Sequence, residues 1–291
     1  MGTDTKIEYV EHTLNFWRGC TKVKDSPACD NCYMHRDAKR YGWNPAIVTR
    51  CKELIWQQPQ KRGRQGYLRW ESGDRVFVCS WSDFFHKDAD KWRNEAWDVI
   101  RSRPDLIWIF TTKRVERAAR CLPDWFNEQN YPNIIIMPTT ENQEMVDKRI
   151  PLARALKAKY PWLKVMVSIE PMLGEMEISK YLLPQFEHIT GLYKGTAKEF
   201  VGIDGVILGG ESGPKARYCP VENIRSVVKQ CQAASVPVFV KQIHLWSVNW
   251  NKTLLETIEA AKLCTGSKMK LIKDINLFPE DLRIREFPKG R

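Results

Sequence analysis

No stretch of this 291-residue chain is apolar for long enough to cross a membrane as a helix. Its first twenty residues, MGTDTKIEYVEHTLNFWRGC, lack the apolar core of a secretory signal. Both absences lead us to expect a cytoplasmic protein with no membrane partner, in a compartment that keeps thiols reduced. Internal repeats are missing too, which sets aside solenoids and propellers, and no low-complexity linker breaks the chain. Acid is in deficit: 35 Asp and Glu stand against 46 Lys and Arg, a net charge of +11 and a pI near 9.2. Such a balance favours an anionic partner, with nucleic acid the commonest, although a solvated basic surface gives the same count.

The last shortage concerns cysteine. Nine is an odd number, which suits no fully paired disulfide framework. Three of the nine, Cys20, Cys29 and Cys32, fall within RGCTKVKDSPACDNCYMHR (18–36), with no fourth before Cys51. Closed structural zinc sites take four ligands, so a C-x8-C-x2-C trio leaves a metal incompletely coordinated. On the residues alone, three readings stay open. Unliganded thiols fit poorly, because free cysteines usually sit singly in apolar surroundings. Zinc would find its fourth ligand in His35, which shares a helical face with Cys32 if 30–41 is helical. A 4Fe-4S cluster held by three thiolates would leave one iron open to a substrate or to S-adenosylmethionine. The closing C-x2-C matches the C-x3-C-x2-C of enzymes that use that cofactor, and the first gap is longer.

What the chain does contain is a recurring unit: a short apolar run, polar residues, then a helical period. RVFVCSW (75–81), DLIWIFTT (105–112), NIIIMPTT (133–140), LKVMVSI (163–169), IDGVILGG (203–210) and VPVFVKQ (236–242) read as strands apolar on both faces, as in a covered parallel sheet. TLNFWRG (13–19) is a first strand, and helices are expected over 30–41, 88–102, 114–127, 143–159 and 220–234. This alternation means α/β, with a closed or partial barrel favoured over an open sheet. The carboxyl ends of such strands form one face, and here they carry Ser80, Ser82, Asp83, Thr111, Thr112, Lys113, Thr140, Glu141, Asn142, Ser168, Glu170, Glu211, Ser212, Lys241 and Gln242. Together they read as the lining of a site, to which the three cysteines, following the first strand, also belong.

Residues 43–74 interrupt the pattern as an insertion in which Lys61, Arg62, Arg64 and Arg69 surround Tyr67 and Trp70. Basic groups interleaved with aromatics suit phosphates and bases, while a solvated loop whose tryptophan packs inward is the plain alternative. We expect residues 1–243 to form the barrel, with the cysteine loop at 20–32, and 244–291 to pack on it as a C-terminal extension.

Several blocks in order, LNFWRGCTKV, CDNCY, VCSWSDFFH, TTKR, SIEPMLG, ILGGESGPKAR, VPVFVKQ and PEDLRIREFP, span roughly residues 7–288. Through them the chain resembles a phage-associated family of radical-SAM-like proteins of largely unassigned function. This chain departs from the family pattern by a couple of extra residues between Cys20 and Cys29. The resemblance implies a partial (β/α)6-type barrel, with Cys20, Cys29 and Cys32 as ligands of a 4Fe-4S cluster. S-adenosylmethionine would lie across the carboxyl-terminal face, held by Tyr33, Ser80, Ser82, Asp83, Glu170 and the turn Gly209, Gly210, Glu211, Ser212. Lys113 and Lys241 become catalytic candidates, and Arg114 and Arg217 join Lys61, Arg62, Arg64 and Arg69 as contacts to nucleic acid or another substrate. Cys219 would donate a hydrogen atom to a product radical, unless it is simply a packed thiol like Cys51, Cys79, Cys121, Cys231 and Cys264. The implied activity is reductive cleavage of S-adenosylmethionine to a 5′-deoxyadenosyl radical, with electrons from a donor protein. The radical would isomerise or rearrange a hypermodified base in phage DNA. A zinc-stabilised nucleic-acid-binding module, or a radical enzyme for a small molecule or peptide, are the alternatives.

Overall fold

The computed structural model describes residues 5–187, 198–200, 202–244 and 271–288. Its centre is an eight-stranded sheet whose strands follow one another in chain order: β1 (His12–Leu14), β2 (Arg75–Val78), β3 (Ile107–Thr112), β4 (Ile134–Pro138), β5 (Lys164–Ile169), β6 (Gly205–Gly209), β7 (Val238–His244) and β8 (Leu271–Ile272). Every neighbouring pair from β1 to β7 is parallel, and only β8 runs antiparallel, with Ile243 opposite Ile272. The main helices are α1 (Tyr33–Arg40), α2 (Asp90–Arg101), α3 (Val115–Cys121), α4 (Gln143–Lys159) and α5 (Val221–Ala233).

Strand composition explains the two covered faces. All five residues of β4 and all five of β6 are buried, as a parallel sheet sandwiched between layers requires. Alternation then sorts the side chains. Phe77, Ile109, Ile135, Met137, Met166, Ile207 and Phe239 gather on the inner face with Tyr9. Their neighbours in sequence, among them Val78, Trp108, Phe110, Val167, Leu208 and Val240, point outward into two clusters shared with the helices. Tyr9 touches Phe77 on β2 (ring centroids 6.4 Å) and Phe239 on β7 (6.1 Å), although four strands separate these two in the sheet. The inner face is therefore concave around one tyrosine. Among the described residues β1 and β7 do not pair with each other.

Most expected elements appear, a few residues shorter. The first is the exception: the run 13–19 splits into β1 and a two-residue strand, Trp17–Arg18, that pairs antiparallel with Thr49–Arg50. The expected helix 114–127 ends at Cys121, two residues before Pro123, in keeping with the extended backbone that proline imposes on its neighbour. Residues 278–286 return to the sheet, with Val240 N donating to Ile284 O at 2.9 Å and Phe278 and Leu282 fully buried. Residues 245–270, which include Trp246, Trp250 and Cys264, lie outside the described part. No helix among the described residues is long and apolar enough to cross a membrane.

Where β6 ends, Gly209 and Gly210 let β7 come close. A Cβ on Gly210 would stand 2.7 Å from His244 Cε1, and that ring is held by Cys219 N at 3.1 Å and Glu211 O at 3.0 Å. Gly210→Ala is expected to destabilise the protein by about 1–3 kcal/mol, as overpacked cores do, measurable as a lower urea midpoint at unchanged slope.

Candidate active site

The cysteine loop has little apolar substance of its own. It begins at Gly19 (φ +95°), where a Cβ would fall 2.2 Å from Ile47 O, so that a side chain has no room there. Polar groups from four strand ends then hold it. After β2, Ser82 Oγ donates to Gly19 O (2.5 Å), the Tyr33 hydroxyl donates to Ser80 O (2.5 Å), and His86 Nε2 meets Thr21 Oγ1 (2.9 Å). After β3, Arg114 donates to Thr21 O (2.6 Å) and to Cys20 Sγ (3.3 Å). After β4, Glu141 accepts from the Ser26 hydroxyl and, at 3.4 Å, from Ala28 N. After β6, Asn31 Nδ2 donates to Glu211 Oε2 (3.1 Å), and Arg217 Nη2 donates to Pro27 O (2.9 Å).

Glu141 is fully buried, and Arg149 of α4, itself 3% exposed, neutralises it at 2.8 Å while also donating to Thr139 O (2.6 Å). Two charges taken out of water cost several kcal/mol each, and mutual pairing plus these extra hydrogen bonds offsets that cost. Arg114 is held in the same way: Asp83 accepts from its guanidinium at 3.3 Å, and also from Thr112 Oγ1, Lys113 N and Phe85 N.

Loop and strand ends enclose a cavity of about 620 Å³, within the range that holds cofactor-sized or drug-sized ligands. Cys20, Cys29 and Cys32 all line it, with His35 beside them and Tyr9 and Phe77 among the inner-face residues. Burial pushes the Cys20 thiol up to about 11, against the pull of the Arg114 cation. Burial, then the neighbouring Cys32 and Glu170, raises the Tyr33 hydroxyl so that it stays a donor. Burial and Lys22 lower His35, favouring its neutral form.

Of the other expected residues, Tyr33, Ser80, Ser82, Asp83, Lys113, Arg114, Glu170, Gly210, Glu211, Ser212 and Lys241 also line the cavity. Their tasks differ from the expected ones in several cases. Ser80, Ser82, Asp83 and Glu211 spend their polar atoms on protein partners, chiefly the loop and the arginines that clasp it. Gly209 and Gly210 have a packing reason, the close approach of Gln242 and His244. Glu170 and Lys241 form an ion pair on the cavity wall, which Gln242 Nε2 joins at 3.3 Å. Lys113 lines the cavity with no ion pair among the described residues.

Three groups stand elsewhere. Cys219 is 1% exposed in the helix-side core and off the cavity wall, and burial pushes its thiol up to about 12. Arg217 is engaged by Glu211 through three bonds of 2.5–2.9 Å. Lys61, Arg62, Arg64 and Arg69 belong to the insertion and do not line the cavity; its Trp70 is buried, stacked on His12 at 4.4 Å. Residues that the sequence reading left without a role include Asn15, which accepts from Trp81 N at 2.7 Å, along with His86, Arg149 and Asn31. An amide inside the apolar run TLNFW was the available signal for Asn15.

Three thiols bordering one cavity, one of them facing a guanidinium, are a donor set that fits an anionic metal–thiolate group. Among the described residues no three His, Cys, Asp or Glu side chains converge to hold a single ion. Thiolates on a cluster bind separate irons and need no such convergence.

The model of a family described as "Protein of unknown function (DUF5131)" matches residues 4–271, which takes in the cysteine loop, every parallel strand and all of the cavity lining except Lys273. The chain belongs to DUF5131. No curated protein and no solved structure matches it.

In this DUF5131 protein the loop anchors can be tested one at a time. Glu141→Ala leaves Arg149 charged, buried and without its carboxylate; we expect a loss of about 3–5 kcal/mol and faster amide exchange at Ser26, Ala28 and Cys29. Glu211 titrates in a defined direction. Burial opposes its charged form, but bonds from Arg217 and Asn31 outweigh burial and hold the carboxyl below its ordinary 4.5. A depressed folded-state value stabilises fully above 4.5 and fades as pH falls through the lowered value. The stability difference between wild type and Glu211→Gln is therefore expected to be largest near neutrality and to shrink in acid, followed by urea unfolding across pH.

Proposed function

We propose that this protein is a radical S-adenosylmethionine enzyme built on a partial (β/α)6-type barrel. One observation carries the reading: Cys20, Cys29 and Cys32 all line a cavity at the carboxyl ends of parallel strands, and among the described residues no other cysteine lines it. The concave inner face around Tyr9 and the chain-order succession of strands support the barrel.

The three thiols would hold a 4Fe-4S cluster, with Cys20 facing Arg114. When bound, that cluster and S-adenosylmethionine supply one-electron chemistry, yielding a 5′-deoxyadenosyl radical able to take hydrogen from an unactivated C–H bond. The chain's own part is positional and electrostatic. Arg114, locked by Asp83, places positive charge against the Cys20 sulfur. A metal held there would take the place of the proton that burial favours on that thiol. The Glu170–Lys241 pair and the Lys113 ammonium offer both signs of charge to a zwitterionic cofactor or an anionic substrate. Tyr9 and Phe77 of the inner face add apolar surface to the cavity lining.

As substrate we propose a hypermodified base in phage DNA, isomerised or rearranged in the host cytoplasm with electrons from a donor protein. The support is the +11 charge and the excess of cations on the cavity lining: Lys6, Lys22, Arg36, Lys113, Arg114, Lys241 and Lys273 against Asp37, Asp83, Glu170 and Glu211. A base would have to leave its stack to reach such a cavity.

Anaerobic reconstitution with iron and sulfide is expected to give about four irons per chain and absorbance near ~400 nm, with 5′-deoxyadenosine released under reduction. Serine at Cys20, Cys29 or Cys32 should abolish both signals. About one zinc and no sulfide would replace this reading with a zinc module closed by His35. DNA-independent turnover of a small molecule would keep the radical chemistry and discard the nucleic acid.

A further inference from the structure

Helix α1 follows the cysteine loop and is two-faced. Met34 and Ala38 are buried, while Arg36, Lys39 and Arg40 are exposed. Just beyond its end, Tyr41 is 55% exposed, whereas core aromatics such as Trp97 are fully covered. Tyr41 packs against Trp81 (centroids 5.4 Å), and Trp81 in turn against Trp43 (6.1 Å). A guanidinium flanks each end of this row: Arg40 lies 5.5 Å from the Tyr41 centroid and Arg18 lies 5.4 Å from that of Trp43. Trp81 also lines the cavity, and its indole N–H is fixed by Asp37 Oδ2 at 3.0 Å. The middle ring of the row thus borders the cavity, while Tyr41 at one end stands in solvent.

Charge points the same way. Residues 18–50 carry seven Lys and Arg against three Asp, and of those three Asp30 pairs with Lys22 (3.4 Å) while Asp37 holds Trp81. Aromatic rings flanked by guanidinium groups are what a single strand needs: rings for bases and cations for the neighbouring phosphates. A duplex would hide its bases from the rings.

We propose that Tyr41, Trp81 and Trp43, flanked by Arg40 and Arg18, form a platform that binds single-stranded DNA and leads an unstacked base to the cavity mouth. The choice of DNA rests on the substrate reading above; the platform itself does not depend on the cluster. The basic insertion is the competing surface. It exposes Arg62, Arg64, Arg69 and Tyr67, but none of the four lines the cavity.

Fluorescence anisotropy of a labelled oligothymidylate of about 12 nucleotides, titrated with the full chain as purified, tests the proposal. Binding should weaken as salt rises. Tyr41→Ala should lower affinity about 5-fold or more, and Tyr41→Phe should restore it, since stacking needs only the ring. Arg40→Ala should lower the salt slope by about one phosphate contact, and Arg64→Ala should leave binding unchanged. Wild-type affinity in Tyr41→Ala, or a loss confined to Arg64→Ala, would overturn the platform while leaving DNA as substrate. Equal binding of the blunt duplex would overturn the single-strand assignment, and tighter binding of oligouridylate would overturn the choice of DNA. Iron content and 5′-deoxyadenosine do not enter this readout, so failure of the radical chemistry is seen separately.

Discussion

A loop that presents three thiols to a cavity cannot bury much of itself, and hydrophobic packing therefore cannot be what shapes it. In this protein the task falls to charged groups that are themselves buried. Glu141, neutralised by Arg149, receives the loop at Ser26 and Ala28; Asp83 aims Arg114 at Thr21 and Cys20; Glu211 fixes Arg217 beneath Pro27. Each carboxylate belongs to a strand end, so the sheet's register determines where the loop is caught. Pairs like these are poor sources of net stability, since desolvation consumes most of what they return. Their value is directional: a half-satisfied network would be costly, which leaves the loop few competing conformations.

That division of labour alters the meaning of the polar strand ends. Their position at one mouth was legible in the sequence, because parallel strands must end on the same side and six apolar runs each closed on polar residues. Their tasks were not. Ser80, Ser82, Asp83 and Glu211 look, as letters, like ligand contacts, yet they also bond protein atoms far away in sequence: Asn15, Gly19, Arg114 and Asn31 respectively. Only tertiary placement reveals such pairings. The Gly209–Gly210 turn shows the same limit: its glycines answer to Gln242 and His244 on the next strand, a contact without a local signal.

The fold itself was read more fully, because alternation and helical period are local properties. Where the reading slipped, tertiary pairing was the reason. The run 13–19 looked like one strand, but Trp17–Arg18 leaves the sheet to pair with Thr49–Arg50 and turns the chain into the cysteine loop. The insertion offers a second case. Its Trp70 stacks on His12 and Trp56 packs on Phe16, so part of its aromatic content is core rather than surface. The exposed ring packed on the cavity-lining Trp81 is instead Tyr41, just after α1.

Tyr9 has one more implication. In a closed barrel, strand number and shear together set the radius, so a change of width means re-registering the whole wall. Here the span between β2 and β7 is filled by a single phenol ring meeting Phe77 on one side and Phe239 on the other. Ring-to-ring contact carries no hydrogen-bond register and tolerates a range of separations. The gap between these two strands is thus bridged by a side chain that belongs to neither, and its size can change while every strand keeps its place.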